Sequence, residues 1–529
     1  MKHPIVARGY VFEDDRQNGH GQQGKKGVPG VVVTNQRDVV QTDENGYFTL
    51  PVYEDCCISV TKPAGYEWPT DPFGQPQFFY RYFPNGTPDR LDLDYRGPDP
   101  TGELPDLLRF PLLRARKKST FRAVMLGDIQ PICETDIGYF RDMMIDELAD
   151  KEVDFMVPLG DLVWDKLELL PLVRETLGAT GHPWYPVCGN HDINLKAPEP
   201  EYAKVTFQRM FGPTYYSFDH GDVHFVVLDD IGYMGWDAQA EEKGATIGWV
   251  DERQLQWLAN DLQHVPEDKL VFVMSHIPIF TEIAAEHDYR NVMNRNELFS
   301  ILSQRKHLYT VSAHTHFVER PDLRAGGWMG KADFPALIAG AACGAWWKGP
   351  RDPGGLPVRM AMDGTPNGYF IFQFAGNTCS FQFCPAGQAP ETSQMGVRFP
   401  KGDIFPGDLH RQDMVVNVYR GHPRAEVTAR INGGIPIRLR RTLQPDPGVA
   451  SFLAAHRKAY PSWMQARMNA HLWTAPMPHD LKPGIYRLEL EAKEPDGEVL
   501  RASQTFRVKP PQDSQQDLFV PKKIPADQA

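Results

Sequence analysis

Five apolar runs in the middle of the chain each end on residue types that commonly bind metal ions. In chain order they read FRAVMLGDIQ, VDFMVPLGDLVWD, WYPVCGNHD, KLVFVMSHIP and LYTVSAHTH. From Ser119 onward such runs alternate with longer helical stretches, for example 138–151 and 252–263, which is typical of βαβ units. Ligands of open α/β sheets bind at the carboxyl ends of the strands. The sequence therefore predicts an α/β domain whose strand ends converge on one crevice.

The candidate metal ligands at these strand ends are carboxylates, carboxamides and imidazoles, without a cysteine thiolate. They are Asp128, Gln130, Asp161, Asn190, His191, His276, His314 and His316. A set of nitrogen and oxygen donors indicates a site for manganese, iron, zinc or cobalt rather than a structural zinc site, which uses thiolates. Residues two apart in extended backbone point to the same face, so Asp128 with Gln130 can serve one cavity. Asp161 has two carboxylate oxygens and could bridge two metals about 3.5 to 4 Å apart.

The blocks GD-x-Q, GD-xxx-D, GNHD, SH and AHTH, in that order over residues 119–320, resemble those of the calcineurin-like metallophosphoesterases. The resemblance implies a four-layer β-sandwich core with helices outside and two adjacent divalent metal ions. By motif match, one metal would be held by Asp128, Gln130, Asp161 and His316, and the other by Asp161, Asn190, His276 and His314.

The resemblance also assigns roles around the metals. His191 corresponds to a histidine that donates a proton or stabilises the transition state, and Asp165 and Asp192 correspond to residues that orient the ligands. The expected reaction is phosphoester hydrolysis, in which a metal-bridging hydroxide attacks in line and protonated His191 assists the departing oxygen. Asp161 and His191 are therefore the predicted catalytic residues.

Two positions depart from the commonest family pattern. Gln130 stands where many members have histidine, and Ala313 stands where many have glycine. A carboxamide oxygen is a harder and weaker ligand than an imidazole, so the Gln130 site is predicted to prefer manganese or magnesium and to lose metal easily. We expect manganese, with iron, zinc, cobalt or magnesium as alternatives.

The chain outside the central region is rich in short β-like runs. The string GVPGVVVTNQRDVVQTDENGYFTLPV resembles transthyretin-like or carboxypeptidase-regulatory domains, and its Glu44-Asn45-Gly46 step predicts a hairpin. Bacterial three-part members of the superfamily have a similar layout. The predicted fold is α/β (α+β), a metallophosphoesterase core flanked by two small all-β sandwich domains. The predicted segments are an N-terminal β-sandwich at 1–115, the catalytic domain at 116–375, a β-rich domain at 376–510 with a helical insert at about 450–472, and a disordered tail at 511–529.

A glycine-rich and aromatic segment, 340–370, follows the last ligand block. It could fold over the crevice and bind substrate, with Trp346 and Trp347 forming a wall and Lys348 or Arg351 meeting phosphate. The same residues could instead form an aromatic plug between the catalytic core and the C-terminal β-domain. The sequence alone supports both interpretations equally.

The charge balance and the lengths of the apolar runs limit the classes of partner that the chain can have. The chain has 56 lysines and arginines against 68 aspartates and glutamates, a net charge of −12, which disfavours nucleic-acid binding. Its apolar runs are far shorter than the about 20 residues that span a bilayer. Residues 1–10 lack the apolar core of a secretory signal, so the sequence predicts a cytoplasmic location, or a periplasmic or secreted one if a leader was removed.

The predicted function is hydrolysis of small-molecule phosphate mono- or diesters at a dinuclear metal site. One alternative is a phosphodiesterase for nucleotides or lipid headgroups. Another, from a different class, is a binding module with an inactive phosphoesterase fold. The intact ligand set argues against the inactive module, whereas the physiological substrate and the oligomeric state are not encoded in any motif.

Overall fold

The computed structural model of the protein describes residues 5–14, 25–53 and 55–510, which form two compact units. The first unit holds the described residues up to Gln388 together with His456–Met464, and the second holds Ala389–Ala455 and the described residues from Gln465 onward. The tail that we predict to be disordered, 511–529, lies outside the described residues.

The N-terminal part of the first unit contains two four-stranded sheets. The first has the strand order Tyr47–Val52, Ile5–Glu13, Leu108–Arg114, Tyr66–Glu67, and the second has the order Val39–Gln41, Val32–Thr34, Cys56–Val60, Phe79–Tyr82. The turn at Asn45 and Gly46 forms, because the Gly46 amide donates to the Asp43 carbonyl at 3.0 Å. The predicted hairpin is nevertheless wrong, since the strands before and after this turn pair in different sheets. The turn is a corner between the two sheets.

Two further sheets form the centre of the first unit. One has the order Phe155–Pro158, Thr120–Leu126, Gly368–Ala375, Thr378–Pro385. The other has the order Tyr216–His220, Val223–Val227, Leu270–Met274, His307–Ser312, Ala336–Ala339, Val318–Glu319. Two small ribbons accompany them, Ile231–Tyr233 with Thr246–Gly248 and Trp236–Asp237 with Glu242–Lys243. The first central sheet continues past residue 375, because strand Thr378–Pro385 pairs along the whole length of Gly368–Ala375.

Aromatic side chains fill the space between the two central sheets. Phe372 meets Phe272 with ring centroids 5.2 Å apart, and Phe374 meets Phe225 at 5.3 Å, both edge to face. Strands buried on both faces read as continuous apolar runs rather than alternating ones, as FRAVMLG and KLVFVM do. The two sheets therefore form a sandwich with a largely aromatic core.

Helices cover the outer faces of this sandwich, so that it has four layers. The helices of the first unit are Glu134–Phe140, Asp146–Ala149, Leu170–Gly178, Val205–Phe211, Glu252–Asp261 and Arg295–Leu302, whereas helix Pro447–Ala455 belongs to the second unit. A π-helical turn, Arg141–Ile145, joins the first two. Short 3₁₀ turns lie at Asp89–Leu91, Leu167–Leu169, Pro200–Tyr202, Leu262–His264, Asp288–Arg290, Pro406–His410 and Arg457–Ala459. The strands and helices pack through two apolar clusters. One cluster contains Val124 of a strand and Phe140 of a helix, and the other contains Val271 of a strand and Trp257 of a helix. The predicted α/β sandwich with helices outside is confirmed.

The second unit contains two sheets around a core of its own. One has the order Met395–Phe399, Asp413–Val418, Met468–Pro476, Arg440–Pro445, and the other has the order Gly402–Ile404, Val499–Val508, Gly484–Lys493, Glu426–Ile431, Ile437–Arg438. The helical insert is shorter than predicted, because its helix ends at Ala455 and a strand begins at Met468. Within the described residues, no helix is both long and apolar enough to cross a membrane.

Candidate metal centre

The candidate ligands lie just beyond the ends of the central strands. Asp128 follows strand Thr120–Leu126 and Asp161 follows Phe155–Pro158, while His276 and His314 follow two strands of the other sheet. The main-chain amide of His314 donates to Asp128 Oδ2 at 2.9 Å, which ties the ends of the two sheets together. The predicted convergence on one crevice is thus present in the fold.

Sharp backbone turns aim these side chains inward. Among the described residues, twelve other than glycine have a positive φ, and eight of them belong to the predicted site: Asp128, Gln130, Asp161, Asp165, His314, His316, Trp346 and Trp347. Non-glycine residues adopt this region at an energetic cost that the surrounding structure must offset, and such residues cluster at functional sites. The concentration here marks the crevice independently of the ligand types.

Two motif glycines are required by close packing behind the ligands. A Cβ atom on Gly160 would lie 2.5 Å from the His276 ring, and one on Gly189 would lie 2.0 Å from the Asp161 amide nitrogen. Both contacts are shorter than real side chains tolerate. The glycines of GD and GN therefore let the ligand-bearing loops approach one another.

The first group of candidate ligands is tightly gathered around His276. Its Nε2 lies 3.3 Å from Asp161 Oδ1, 3.1 Å from Asn190 Oδ1 and 3.1 Å from His314 Nδ1. One ring nitrogen cannot satisfy three such neighbours through a single proton. A cation fits a point where an oxygen from each of two side chains and two imidazole nitrogens converge.

The outer nitrogens of both histidines are held by backbone carbonyls. His276 Nδ1 lies 2.7 Å from the Leu159 carbonyl oxygen, and His314 Nε2 lies 2.7 Å from that of Tyr289. A carbonyl only accepts hydrogen bonds, so these nitrogens carry the protons. When these rings are neutral, their inward nitrogens carry the lone pairs that metal-binding histidines require.

The second group of candidate ligands is arranged around Asp128. Its Oδ1 is buried without a hydrogen-bond partner and lies 3.4 Å from His316 Nε2. Gln130 donates from Nε2 to Asp161 Oδ2 at 3.0 Å, while its Oε1 lies 4.0 Å from Cys343 Sγ. An orphaned buried carboxylate oxygen suits a cation. Gln130 must rotate its amide to bring its oxygen toward the same point.

The electrostatics of the crevice also favour a cation. Burial raises the pKa of Asp161, but His276 and His191 outweigh burial and hold that pKa well below its usual range. Burial lowers the pKa of His276, but Asp161 and Asp128 outweigh it and raise the pKa to about 10. Burial, with His276 beside it, lowers the pKa of His314 to about 3. Carboxylates that stabilise a protonated imidazole this strongly attract positive charge, which a divalent ion supplies more fully.

His191 lies beside these groups rather than among them. Its Nδ1 is 2.5 Å from Asp165 Oδ1, its Nε2 is 4.0 Å from Asp161 Oδ2, and its side chain is 20% exposed. Burial lowers the pKa of His191, but Asp161 and Asp165 outweigh it, so that the net shift is upward. A histidine with a raised pKa and an accessible ring is suited to donate a proton.

Asp192 joins the loops that carry the ligands. It is fully buried, and its two oxygens accept from the Val163 amide at 3.1 Å and the Gly189 amide at 2.9 Å. Burial, with the charge of Asp161, raises the pKa of Asp192 to about 7. Its contacts are those of a residue that positions the loops.

The four residues predicted to bind substrate are placed differently from one another. Trp346 stacks on the His316 ring at 4.3 Å, so it borders the crevice. Trp347 is 1% exposed and donates from Nε1 to the Ile129 carbonyl at 2.8 Å, which leaves no surface for a substrate. Lys348 pairs with Asp136 at 3.6 Å.

The fourth predicted substrate-binding residue, Arg351, is engaged by two local contacts. It lies over the Tyr139 ring at 4.5 Å and donates to the Trp347 carbonyl at 3.2 Å. Of the four, Trp346 is the one with a ring contact to a candidate ligand among the described contacts.

Two aromatic residues next to the crevice are not among those predicted from the sequence. Trp164 lies 5.4 Å from the His191 ring, between centroids, and Trp463 lies 5.0 Å from Trp346. Trp164 stands inside the GDLVWD block, where its neighbour Asp165 already pointed to the site. Trp463 follows the last ligand by more than a hundred residues and no local pattern marks it.

Family models match three successive parts of the chain. Residues 15–96 match the N terminal of calcineurin-like phosphoesterase, 121–318 match calcineurin-like phosphoesterase, and 337–499 match the C terminal of calcineurin-like phosphoesterase. A probable glycerophosphodiester phosphodiesterase, GpdQ, of Arcobacter nitrofigilis is 27% identical over 173 residues, covering 31% of this chain and 57% of that relative. The match therefore spans less than two thirds of the relative's length.

The solved structures that align with the chain are more distant in sequence. A dimetal phosphatase from Danio rerio aligns with a TM-score of 0.36 and 15% identity, covering 50% of this chain and 97% of that one. PhoD aligns with a TM-score of 0.38 and 11% identity, covering 79% and 91%. The three family models together span most of the sequence, and all five ligand blocks fall inside the central one. The chain therefore belongs to the calcineurin-like phosphoesterases, a family of hydrolases that depend on divalent metal ions.

Proposed function

We propose that the protein hydrolyses small-molecule phosphate mono- or diesters at a centre of two divalent metal ions. The observation that carries this proposal is the position of Asp161, whose Oδ1 faces His276 at 3.3 Å while its Oδ2 faces Gln130 at 3.0 Å. Each oxygen of one carboxylate is thus directed to a different ligand group. A bridging carboxylate of this kind is what a two-metal phosphoesterase needs.

The two groups of side chains fit the two ions by donor type. The proposed ligands are Asp161, Asn190, His276 and His314 for one ion, and Asp128, Gln130, Asp161 and His316 for the other. When bound, the ions polarise the phosphoryl oxygens and supply a hydroxide nucleophile at neutral pH. Manganese is the metal we propose, because the Gln130 and Asn190 carboxamides are hard oxygen donors.

His191 supplies the proton in this proposal. The Asp165 carboxylate accepts from Nδ1, which turns Nε2 toward Asp161 and the crevice. The ring stays protonated to a higher pH than an isolated histidine because Asp161 and Asp165 stabilise its charge. Protonation of the departing oxygen by Nε2 avoids release of an unstable alkoxide.

The role of Asp165 predicts a change in the pH profile of turnover. Asp165→Asn removes a charge that raises the pKa of His191, so the alkaline limb with an alkyl ester should move to lower pH. Lys243 lies 3.7 Å from Asp165 and lowers the same pKa. The matched variant Lys243→Met should therefore move that limb slightly to higher pH. Shifts of both variants in one direction would contradict the assignment.

A second candidate is a phosphodiesterase of nucleotides or lipid headgroups. The observation that favours it is the relative from Arcobacter nitrofigilis, whose name describes a diesterase. The shared region covers 57% of that relative, so its substrate is not transferred to this chain as a finding. A diester preference would distinguish this candidate from a phosphomonoesterase.

Metal removal tests the proposed function directly. We expect chelated protein to be inactive on paired aryl phosphate mono- and diesters and to recover turnover as manganese is restored, with about two equivalents bound. The preferred ester then separates phosphatase from phosphodiesterase. Iron, zinc, cobalt and magnesium should be titrated in parallel. Two bound equivalents without turnover on either ester would contradict the proposal and favour an inactive binding module.

A further inference from the structure

Three tryptophans form a continuous surface along one side of the crevice. Trp164, Trp346 and Trp463 have ring centroids 6.0, 5.0 and 6.3 Å apart in pairs, at interplanar angles between 53° and 82°. Centroids at this spacing are in direct ring contact. The three indoles, called the tryptophan wall below, are therefore packed together rather than spread into an open cage.

The tryptophan wall touches both ends of the catalytic machinery. Trp164 lies 5.4 Å from the ring of His191, the proposed proton donor. Trp346 stacks on His316 at 4.3 Å with an angle of 22°. A substrate whose phosphate lies at the ligands and whose departing oxygen lies at His191 would have this wall beside its leaving group.

The outermost indole comes from a segment far away in sequence. Trp463 belongs to His456–Met464, which is part of the first unit although its flanking residues belong to the second. Arg457 fastens this segment by donating to the carbonyls of Pro461 at 3.1 Å, Ser462 at 2.6 Å and Met464 at 3.2 Å. The position of Trp463 is therefore set by a guanidinium that binds three carbonyls around it.

The loop that carries Trp346 is shaped to receive this segment. Gly349 has a φ of +108°, and a Cβ there would lie 2.3 Å from the Tyr460 hydroxyl. Trp346 and Trp347 are consecutive and both have positive φ, which is rare for bulky side chains and is maintained only where the surroundings fix it. Two strained tryptophans against a fitted segment indicate a built surface.

Trp463 remains half exposed although it lies next to a buried centre. Its residue is 47% exposed, while Trp164 and Trp346 are partly buried. An indole fixed in this way offers a flat apolar face that costs little conformational entropy to use. No charged side chain is part of the wall itself.

We propose that the tryptophan wall is the leaving-group subsite, and that it selects phosphate esters of uncharged, flat or branched apolar alcohols over those of small polar alcohols. This inference rests on the proposed phosphoesterase function. It assigns Trp164, Trp346 and Trp463 as specificity-determining residues. His456–Met464 thereby becomes part of the substrate pocket.

The test compares benzyl phosphate with ethyl phosphate, whose alcohols are of similar acidity. In the full manganese-loaded protein, Trp463→Ala should lower kcat/KM for benzyl phosphate by about tenfold relative to ethyl phosphate. Trp463→Phe keeps an apolar ring and should restore most of the difference. Tyr53→Ala, at an aromatic residue that is 51% exposed in the N-terminal part, should change neither ester.

A binding measurement gives a readout that does not depend on turnover. Benzylphosphonate, which is not hydrolysed, should bind the unaltered protein more tightly than ethylphosphonate, and Trp463→Ala should remove most of this preference. Equal losses for both esters, or an unchanged preference for benzylphosphonate, would overturn the inference. Phosphocholine is assayed alongside the two esters, and a loss in Trp463→Ala that is confined to phosphocholine would also overturn the inference, in favour of a cation subsite. Failure of the proposed function is distinct, since the unaltered protein would then hydrolyse neither ester.

Discussion

The Asp161→Asn substitution is expected to raise the activation free energy by about 4 kcal/mol, which lowers turnover roughly a thousandfold. The expected loss is large because one carboxylate serves both ligand groups. Asp161 is buried, accepts from the His191 amide at 3.0 Å through Oδ1, and accepts from Gln130 at 3.0 Å through Oδ2. The carboxamide keeps this shape while losing the negative charge. Metal content after purification should fall together with activity.

The control for this substitution is Asp92→Asn, at a carboxylate with a similar left-handed backbone outside the crevice. The φ angles are 46° at Asp92 and 51° at Asp161, so both variants face the same conformational demand. The Asp92 variant should keep both activity and metal. Retained turnover in Asp161→Asn, with a normal thermal unfolding transition, would rule out the bridging assignment.

The His191→Ala variant is expected to lower turnover by about 100- to 10,000-fold while leaving the metal content unchanged. His191 Nε2 lies 4.0 Å from Asp161 Oδ2, and its Nδ1 is engaged by Asp165 at 2.5 Å, so neither nitrogen joins the ligand groups. Removal of the ring eliminates the proposed proton donor but no proposed metal ligand. The loss should be larger for ethyl phosphate than for an aryl phosphate, because an aryl oxide departs without protonation.

The control for the histidine is His264→Ala, an exposed position in the 3₁₀ turn Leu262–His264 that follows helix Glu252–Asp261. It should behave as the unaltered protein with both esters. Two results would speak against the proton-donor role: loss of bound metal in His191→Ala, which would make His191 a ligand, and an equal loss of turnover with both esters.

The family and the ligand types were readable from the sequence because they are local. GD, GNHD and AHTH are short blocks in which donor residues stand within a few positions after an apolar run, so their donor types can be recognised before the fold is known. The packing at Gly160 and Gly189 shows why these turns tolerate no Cβ. Fold class followed from the same blocks, since strand ends of one sheet share an edge.

Features that depend on contacts between distant segments could not be predicted from the sequence. The turn at Gly46 was expected to close a hairpin, but cross-strand pairing is chosen by burial of whole sheets, and the turn became a corner between two of them. Trp347 and Arg351 were predicted to bind substrate because they belong to the aromatic, glycine-rich segment after the last ligand block. The burial of Trp347, its bond to the Ile129 carbonyl and the contact of Arg351 with the Tyr139 ring depend on segments more than two hundred residues earlier in the chain.

The sequence by itself determined which side chains are candidate metal ligands, because donor type is a property of single side chains. Only the tertiary structure decided how those atoms are shared: that the two oxygens of Asp161 face different groups and that the Leu159 carbonyl fixes the tautomer of His276. It also decided that Trp463 joins Trp346 beside the crevice. Such neighbours are brought together by burial of a common core, which acts over the whole chain and leaves no mark on adjacent residues.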